Sequence, residues 1–540
     1  MPHYIGVDVG TGSARAGVFD SEGTMLASAK RDIALYLEPG EIAEQSSEDI
    51  WRAVCSSVHE AVAASGVDAS DIAGIGFDAT CSLVVVEQGG APLPVGSSGD
   101  SQRNIIVWMD HRSLDQTRRI NAGKYPVLDY VGGTISPEME TPKLLWLKEN
   151  MPDSFAKADH FFDLADYLTW RSTGSLARSI CTVTCKWTYL AHESRWDDAY
   201  FRAIGLGELA DEGFARIGTE IVAGGTALGN GLTEAAAADF GLRPGTAVAA
   251  GLIDAHAGGV GTVGGKPPKT GGDAGTLQSR MAYVFGTSAC TMASTSEPAF
   301  VPGVWGPYFS SMVPGLWLSE GGQSAAGAAI DHLVTFHPAS AAAAAKAKAQ
   351  GVGLSAWLAG QAARHSPDLS EAARLADGLH VVPEFLGNRS PFADPQAKGL
   401  IAGLGMDTSP DSLVALYIAG LCGLGYGVRQ IVAAMAEKGL AIDTIVVSGG
   451  AARSELVRQL LADTTGLTVA ASTSPEPVLL GSAMLGAVAA GRYPDLITAM
   501  TGMSAMGDIY RPAAGSLKAL HDKRFAAFEL LRKAARAVRG

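Results

Sequence analysis

Short apolar runs that end in a glycine, a hydroxyl or a lone acid recur along this chain. Residues 4–9 are apolar except for Asp8; Gly10, Thr11, Gly12 and Ser13 follow, and residues 16–19 are apolar again. That pattern predicts strand, tight turn and strand, with a carboxylate at the mouth of the turn. Residues 25–30 predict a third strand. Ser46, Ser47, Glu48 and Asp49 have the form of a capping box ahead of helical apolar spacing over residues 50–64. Residues 72–77 form the next run, ending in Asp78, and residues 83–86 another. Strands and a helix in this order predict an α/β layer around a mixed sheet.

Further along, the apolar run 105–109 delivers Asp110, His111 and Arg112 at its end. Residues 132–142 predict a loop containing Glu138 and Glu140, and residues 143–149 a short helix. Lys186 stands inside an apolar, β-branched stretch at 181–187. A buried lysine is costly unless paired; the alternative is an edge-strand residue whose stem snorkels to water. Residues 245–253 predict a strand of small apolar residues, with Asp254 at its end before a glycine-rich turn. Residues 266–279 are rich in turn formers and predict a joint. At 282–288 the opening pattern returns without its aspartate: apolar strand, Gly286, Thr287, Ser288, strand. This internal echo predicts two related sheet domains.

In the second half, residues 317–320 predict a strand end, followed by a turn and the start of a small-residue helix. Residues 339–350 predict a solvated alanine–lysine helix, 383–391 a polar loop, and 411–438 a long helix with glycines in its middle. Residues 445–447 predict a strand, then Gly449 and Gly450, then a helix from residue 455; glycines feeding a helix N-terminus suit a nucleotide. Residues 479–487 read as a small-residue helix. Residues 517–539 read as an amphipathic, basic helix packed on a domain surface.

Composition narrows the classes. A chain of 540 residues is too long for one ordinary core. With 18% charged and 47% hydrophobic residues it has a globular balance. A net charge of −14 disfavours nucleic acid and anionic membrane, so an anionic ligand needs its own local donors. The first residues lead straight into a strand without a signal peptide, and no run of about 20 apolar residues lacks glycine or charge. The expectation is a cytoplasmic protein without a membrane span. The 6 cysteines are scattered, as suits a reducing cytosol. Cys181 and Cys185 sit four apart without further ligands at zinc spacing, and read as packing residues.

Some stretches carry candidate chemistry. Glycines in the opening turn let backbone N–H groups approach an anion, and the hydroxyls add donors. Asp8 makes sense there if a cation such as Mg²⁺ lies between it and a phosphate. By itself the stretch leaves a plain hairpin equally open. Asp254, an acid in an apolar frame, is a candidate general base or a helix N-cap. His256 has no second histidine at ligand spacing and reads as a packing or hydrogen-bonding residue.

Several motifs, taken in order, resemble the FGGY family of carbohydrate kinases, within the actin/hexokinase-like superfamily. They are the turn from Asp8 to Ser13, the segment Gly251-Leu252-Ile253-Asp254-Ala255-His256, Gly286-Thr287-Ser288, the run 399–407 leading into the helix at Ser412, and the turn from Ser448 to Ser454. Residues 76–84, 108–112, 185–187 and 303–308 look like the family's ribulokinase branch. The resemblance implies an α/β fold of two ribonuclease-H-like domains with an interdomain cleft. The first domain would span residues 1–262 and the second 281–510, with a joint at 263–280 and a C-terminal helix at 511–540.

It also implies roles. Asp254 matches the catalytic base and Asp8 the Mg²⁺-holding acid. Thr11, Gly12 and Ser13 would face the γ-phosphate, and Gly286, Thr287 and Ser288 the β-phosphate. Gly449, Gly450 and Ser454 would flank the adenosine, with Gln323 also on the nucleotide side. Lys186, Asp254 and Glu320 would hold the sugar with the backbone of Ala79, Thr80 and Cys81, and Asp110 and Glu138 are further candidates. A lysine facing Asp254 and Glu320 would be paired. The implied reaction is ATP-dependent phosphorylation of a ketopentose, D-ribulose to D-ribulose 5-phosphate. L-ribulose, ribitol and xylulose are alternatives, and a non-catalytic nucleotide-binding regulator is a different class. The implied cofactors are ATP and Mg²⁺. The implied partner is a small-molecule sugar, with no nucleic acid or membrane and with a homodimer as an option. Ala451 stands where many relatives have glycine, and Asn388 where other branches carry an acid.

Overall fold

The computed structural model describes residues 2–267, 274–450 and 453–539; Ala451 and part of the joint expected at 263–280 lie outside the described residues. The first half is built on a six-stranded sheet. β1 (His3–Val9), β2 (Ser13–Phe19) and β3 (Met25–Asp32) form an antiparallel meander. α1 (Ser47–Ser65) follows, and the Ser46 side chain accepts the N–H of Asp49 to cap it. β4 (Ile72–Ala79) returns parallel beside β1, and β5 (Ala247–Val248) and β6 (Leu252–Ile253) pair parallel with β4.

The second half repeats this plan in a seven-stranded sheet. β7 (Arg280–Phe285), β8 (Ala289–Thr295), β9 (Trp305–Phe309) and β10 (Trp317–Gln323) are antiparallel neighbours in the order β9-β10-β8-β7. β11 (Thr444–Ser448) lies parallel beside β7, β12 (Thr468–Ser472) parallel beside β11, and β13 (Met506–Tyr510) antiparallel at the edge. Each sheet thus carries a glycine-turn hairpin whose first strand is flanked by a later parallel strand. The echo in sequence is one hairpin built twice.

Local sequence and tertiary packing disagree at five places. Residues 180–186 form a helix, α2 (Ile180–Lys186), capped by the Ser179 hydroxyl, so Lys186 sits in a last helical turn and on no edge strand. Asp254 opens α3 (Asp254–Val263) directly after β6, without a turn. Glu320 lies inside β10, and Gly321 and Gly322 belong to that strand; a Cβ on Gly322 would lie 2.2 Å from the Ala289 carbonyl oxygen, so glycine serves close strand approach there. Of the run 105–109 only Ile105–Ile106 pairs as a strand, and Glu140 opens a helix (Glu140–Asn150).

The long helix α4 (Pro410–Ala436) is apolar and long enough to cross a membrane, but it is mostly buried as the central helix of the second half's core. α5 (Glu455–Thr465) follows the glycine turn after β11. α6 (Pro477–Ala489) belongs to the second half in sequence yet packs on the first sheet. A Cβ on Gly6 would lie 1.9 Å from the Leu479 carbonyl oxygen, and one on Gly76 2.0 Å from that of Ser482. On its other side α6 meets α3, where a Cβ on Gly481 would lie 2.0 Å from the Ala257 carbonyl oxygen. The small residues of 479–487 are therefore a packing requirement where the two halves meet. α7 (Gly515–Arg539) covers the second half, with His521 bonded to the Tyr426 hydroxyl at 2.9 Å.

Candidate active site

The first sheet brings three acids to one end. Asp8 of β1 stands in register with Asp78 of β4, Leu252 of β6 pairs with Asp78, and Asp254 follows two residues later. Asp78 is fully buried, and one carboxyl oxygen accepts the hydroxyl of Ser482 from α6. Burial, and next the Asp8 carboxylate, hold its pKa well above the usual carboxylate range. Asp254 is half-buried, with Oδ1 accepting the N–H of Ala255 at 2.7 Å. Burial, and after it the charge of Asp8, push its pKa up to about 6. Asp8 is paired with Arg15 of β2, which also reaches Glu476 at 2.7 Å just before α6.

The two glycine turns face one another across a cavity of about 660 Å³ between the halves. Asp8, Thr11, Gly12, Ser13, Thr80, Cys81, Glu138, Lys186, Asp254, Gly286, Thr287, Ser288 and Glu320 all line it. The first turn is fixed by the N–H of Gly10, which donates to the Ser13 carbonyl at 3.0 Å, and by Trp108 Nε1, which donates to Thr11 Oγ1 at 2.9 Å. Gly286 and Thr287 also border a second cavity of about 940 Å³, lined further on by Gly450, Ser454, Gly327, Tyr417 and Leu421. The apolar wall of Tyr417 and Leu421 beside a glycine turn suits a purine, and the phosphates would thread past Gly286 and Thr287 toward Asp8.

Four expected site residues are placed elsewhere. Asp110 is fully buried, its carboxylate accepting Arg112 Nε at 2.9 Å and the N–H of Ala43 at 2.6 Å, so it serves an ion pair. Ala79 is fully buried inside the sheet, in register with Ile253. The Gln323 side chain is held by the Tyr283 hydroxyl at 2.8 Å and the Leu424 carbonyl at 3.0 Å, within the second half. Gly449 turns the chain at φ 94°, where a Cβ would lie 2.5 Å from the Phe285 carbonyl oxygen, and so supports the turn that Gly450 presents.

The pairing expected of Lys186 is also different. Glu320 Oε2 meets His256 Nε2 at 3.3 Å, and Glu320 Oε1 accepts Arg389 Nη2 at 3.2 Å. Lys186 Nζ instead lies 4.5 Å from the centroid of the Trp305 ring. Burial opposes the charge of Glu320, but Lys186, His256 and Arg389 hold its pKa well below the usual range. His256 is fully buried and bridges Glu320 to Cys181, whose Sγ lies 3.0 Å from Nδ1. This is the hydrogen-bonding role read for His256, and Cys181, read as a packing residue, is its hydrogen-bond partner.

Arg389, Arg15, Cys290 and Trp108 line the cavity without having been singled out as site residues. Arg389 belongs to the polar loop 383–391, so that loop was the visible signal. Asn388 beside it organises the loop, donating to Glu384 Oε1 at 2.6 Å and accepting the N–H of Phe392 at 3.0 Å.

The donor set suits Mg²⁺. That ion keeps several waters and takes one or two carboxylates plus phosphate oxygens. Asp8 supplies a carboxylate beside the hydroxyls of Thr11 and Ser13, and the buried Oδ1 of neighbouring Asp78 has no protein partner. Among the described residues no cluster of three or more acids, histidines or cysteines forms a complete metal cage, and an ion shared with phosphates needs none.

Residues 3–261 match the N-terminal domain of the FGGY family of carbohydrate kinases, and residues 281–490 its C-terminal domain. An FGGY carbohydrate kinase domain-containing protein of Homo sapiens is 46% identical over 533 residues, covering 97% of this chain and 95% of that protein. A D-ribulokinase of Saccharomyces cerevisiae is 39% identical over 511 residues, covering 90% of this chain and 72% of that protein. The crystal structure of a xylulose kinase from Rhodospirillum rubrum superposes with a TM-score of 0.80 at 22% identity, covering 99% of both chains, which shows a shared fold.

Proposed function

This chain belongs to the FGGY family of carbohydrate kinases, and from that premise we propose that it transfers the γ-phosphoryl group of ATP to the terminal hydroxyl of a ketopentose, D-ribulose. The observation that carries this reading is the convergence of Asp254, Lys186 and Glu320 on the cavity that the two glycine turns enclose. Similarity to a D-ribulokinase over most of the chain supports the choice of sugar.

Phosphoryl transfer asks mainly for position and charge. Gly12 and Gly286 leave their turns open to phosphate oxygens, with Thr11, Ser13, Thr287 and Ser288 adding hydroxyl donors. Asp254 accepts the proton of the attacking hydroxyl, and its raised pKa keeps it basic enough to do so near neutrality. Asp8, with Asp78 behind it, would hold Mg²⁺, which when bound supplies positive charge to the phosphates. Lys186 and Glu320 orient the sugar. Closure of the halves over bound substrate would exclude water, the competing acceptor. The test is ADP release measured across pentuloses and pentitols. D-ribulose should stimulate it most strongly; no stimulation by any of them overturns the reading and favours a nucleotide-binding regulator.

A further inference from the structure

The cavity wall around Trp305 gathers two cations, Arg389 and Lys186, beside one acid, Glu320. Arg389 Nη2 donates to Glu320 Oε1 at 3.2 Å, and Nη1 lies 3.6 Å from Cys290 Sγ. The guanidinium carbon is 4.3 Å from the Trp305 ring centroid, the same ring that Lys186 approaches. Glu320 is already engaged on both oxygens, by Arg389 and His256. A guanidinium has five N–H groups, and Glu320 and Cys290 are the acceptors Arg389 meets among the described residues. Arg389 and Lys186 both line the cavity. The segment just after Arg389 is held by α7. Arg532 of α7 lies 3.7 Å from the ring centroid of Phe392, in the loop that Asn388 ties to Glu384.

The chemistry of a 2-ketopentose gives this wall a use. Its furanose ring closes by adding the C5 hydroxyl to the C2 carbonyl, so the ring form has no free C5 hydroxyl to phosphorylate. The open-chain form has that hydroxyl, and it alone has a carbonyl oxygen. A carbonyl oxygen accepts hydrogen bonds and cannot donate, which matches two donor-only cations. Resting on the pentulose-kinase reading, we propose that Arg389, alongside Lys186, binds the carbonyl oxygen of the open-chain ketose and thereby selects the reactive form. Glu320 and Trp305 fix the guanidinium for that contact.

The test compares D-ribulose with ribitol, its reduction product, as substrate or competitive inhibitor of the wild type, Arg389→Lys and Arg389→Gln. Loss of one charge-assisted hydrogen bond should lower kcat/KM for D-ribulose about 10–150-fold in Arg389→Gln. Arg389→Lys, which keeps charge but not the fork, should fall between. The constant for ribitol should move less than about threefold. The KM for ATP and the Kd for ADP should stay unchanged, which also reports that the variants are folded. Equal losses on ketose and pentitol, or a rise in the KM for ATP, overturn the assignment while leaving the kinase intact. A wild type that turns over no pentulose removes the kinase reading, and the assignment falls with it.

Discussion

Replacing Asp254 with asparagine keeps the shape of the side chain and removes its basicity. The carboxylate has a pKa pushed up to about 6, by burial first and by Asp8 second. A base with that pKa is about 90% ionised at pH 7 and about 10% at pH 5, so kcat/KM for the sugar should fall about tenfold per pH unit below 6. Removing a positioned general base costs about 10²–10⁴-fold, or about 3–5 kcal/mol of transition-state stabilisation. The assay is coupled ADP release with saturating ATP and varied D-ribulose from pH 5 to 9, which yields both kcat and kcat/KM, with the Kd for ADP measured in parallel. The wild type should show an acid limb near pH 6. Asp254→Asn should lose at least 100-fold in kcat, lose the limb, and bind ADP within about twofold of the wild type. An asparagine variant within about tenfold of wild type would refute the base assignment. A wild-type profile flat through pH 6 would refute the burial and charge argument behind the pKa.

Two glycines should behave oppositely. Gly12 has no heavy atom within 4 Å of a Cβ position and lines the cavity, so Gly12→Ala should leave the melting temperature unchanged while raising the KM for ATP about tenfold. Gly76→Ala places a Cβ 2.0 Å from the Ser482 carbonyl oxygen, so it should cost about 3 kcal/mol and lower the melting temperature by several degrees. Glu320→Gln strips the counter-charge from fully buried His256 and from partly exposed Arg389. It should raise the KM for sugar more than about tenfold, spare the KM for ATP, and destabilise by about 2–3 kcal/mol, read by urea unfolding.

What could be read from sequence follows from how local each signal is. A three-residue glycine connection between two apolar runs fixes its own hairpin, so both turns, and their echo, were visible before any tertiary structure. Strand identity within 181–187 was not, because Thr182, Val183 and Thr184 favour strand while the Ser179 cap and packing against buried His256 favour helix, and packing wins. Gly321 and Gly322 carry the ordinary mark of a turn, yet their missing side chains serve close approach to β8.

Asp110 and Asp254 show the limit most sharply. Both are acids at the end of an apolar run, and that signal alone cannot separate them. The difference was in reach: Arg112, two residues beyond Asp110, is a local partner able to consume its charge, whereas no lysine or arginine lies within several residues of Asp254. A candidate acid with an arginine or lysine two residues away should therefore be discounted as a site residue. Arg389 could not be ranked this way, because its partner Glu320 is 69 residues distant and the aim of its side chain is set by a loop that the C-terminal helix clamps.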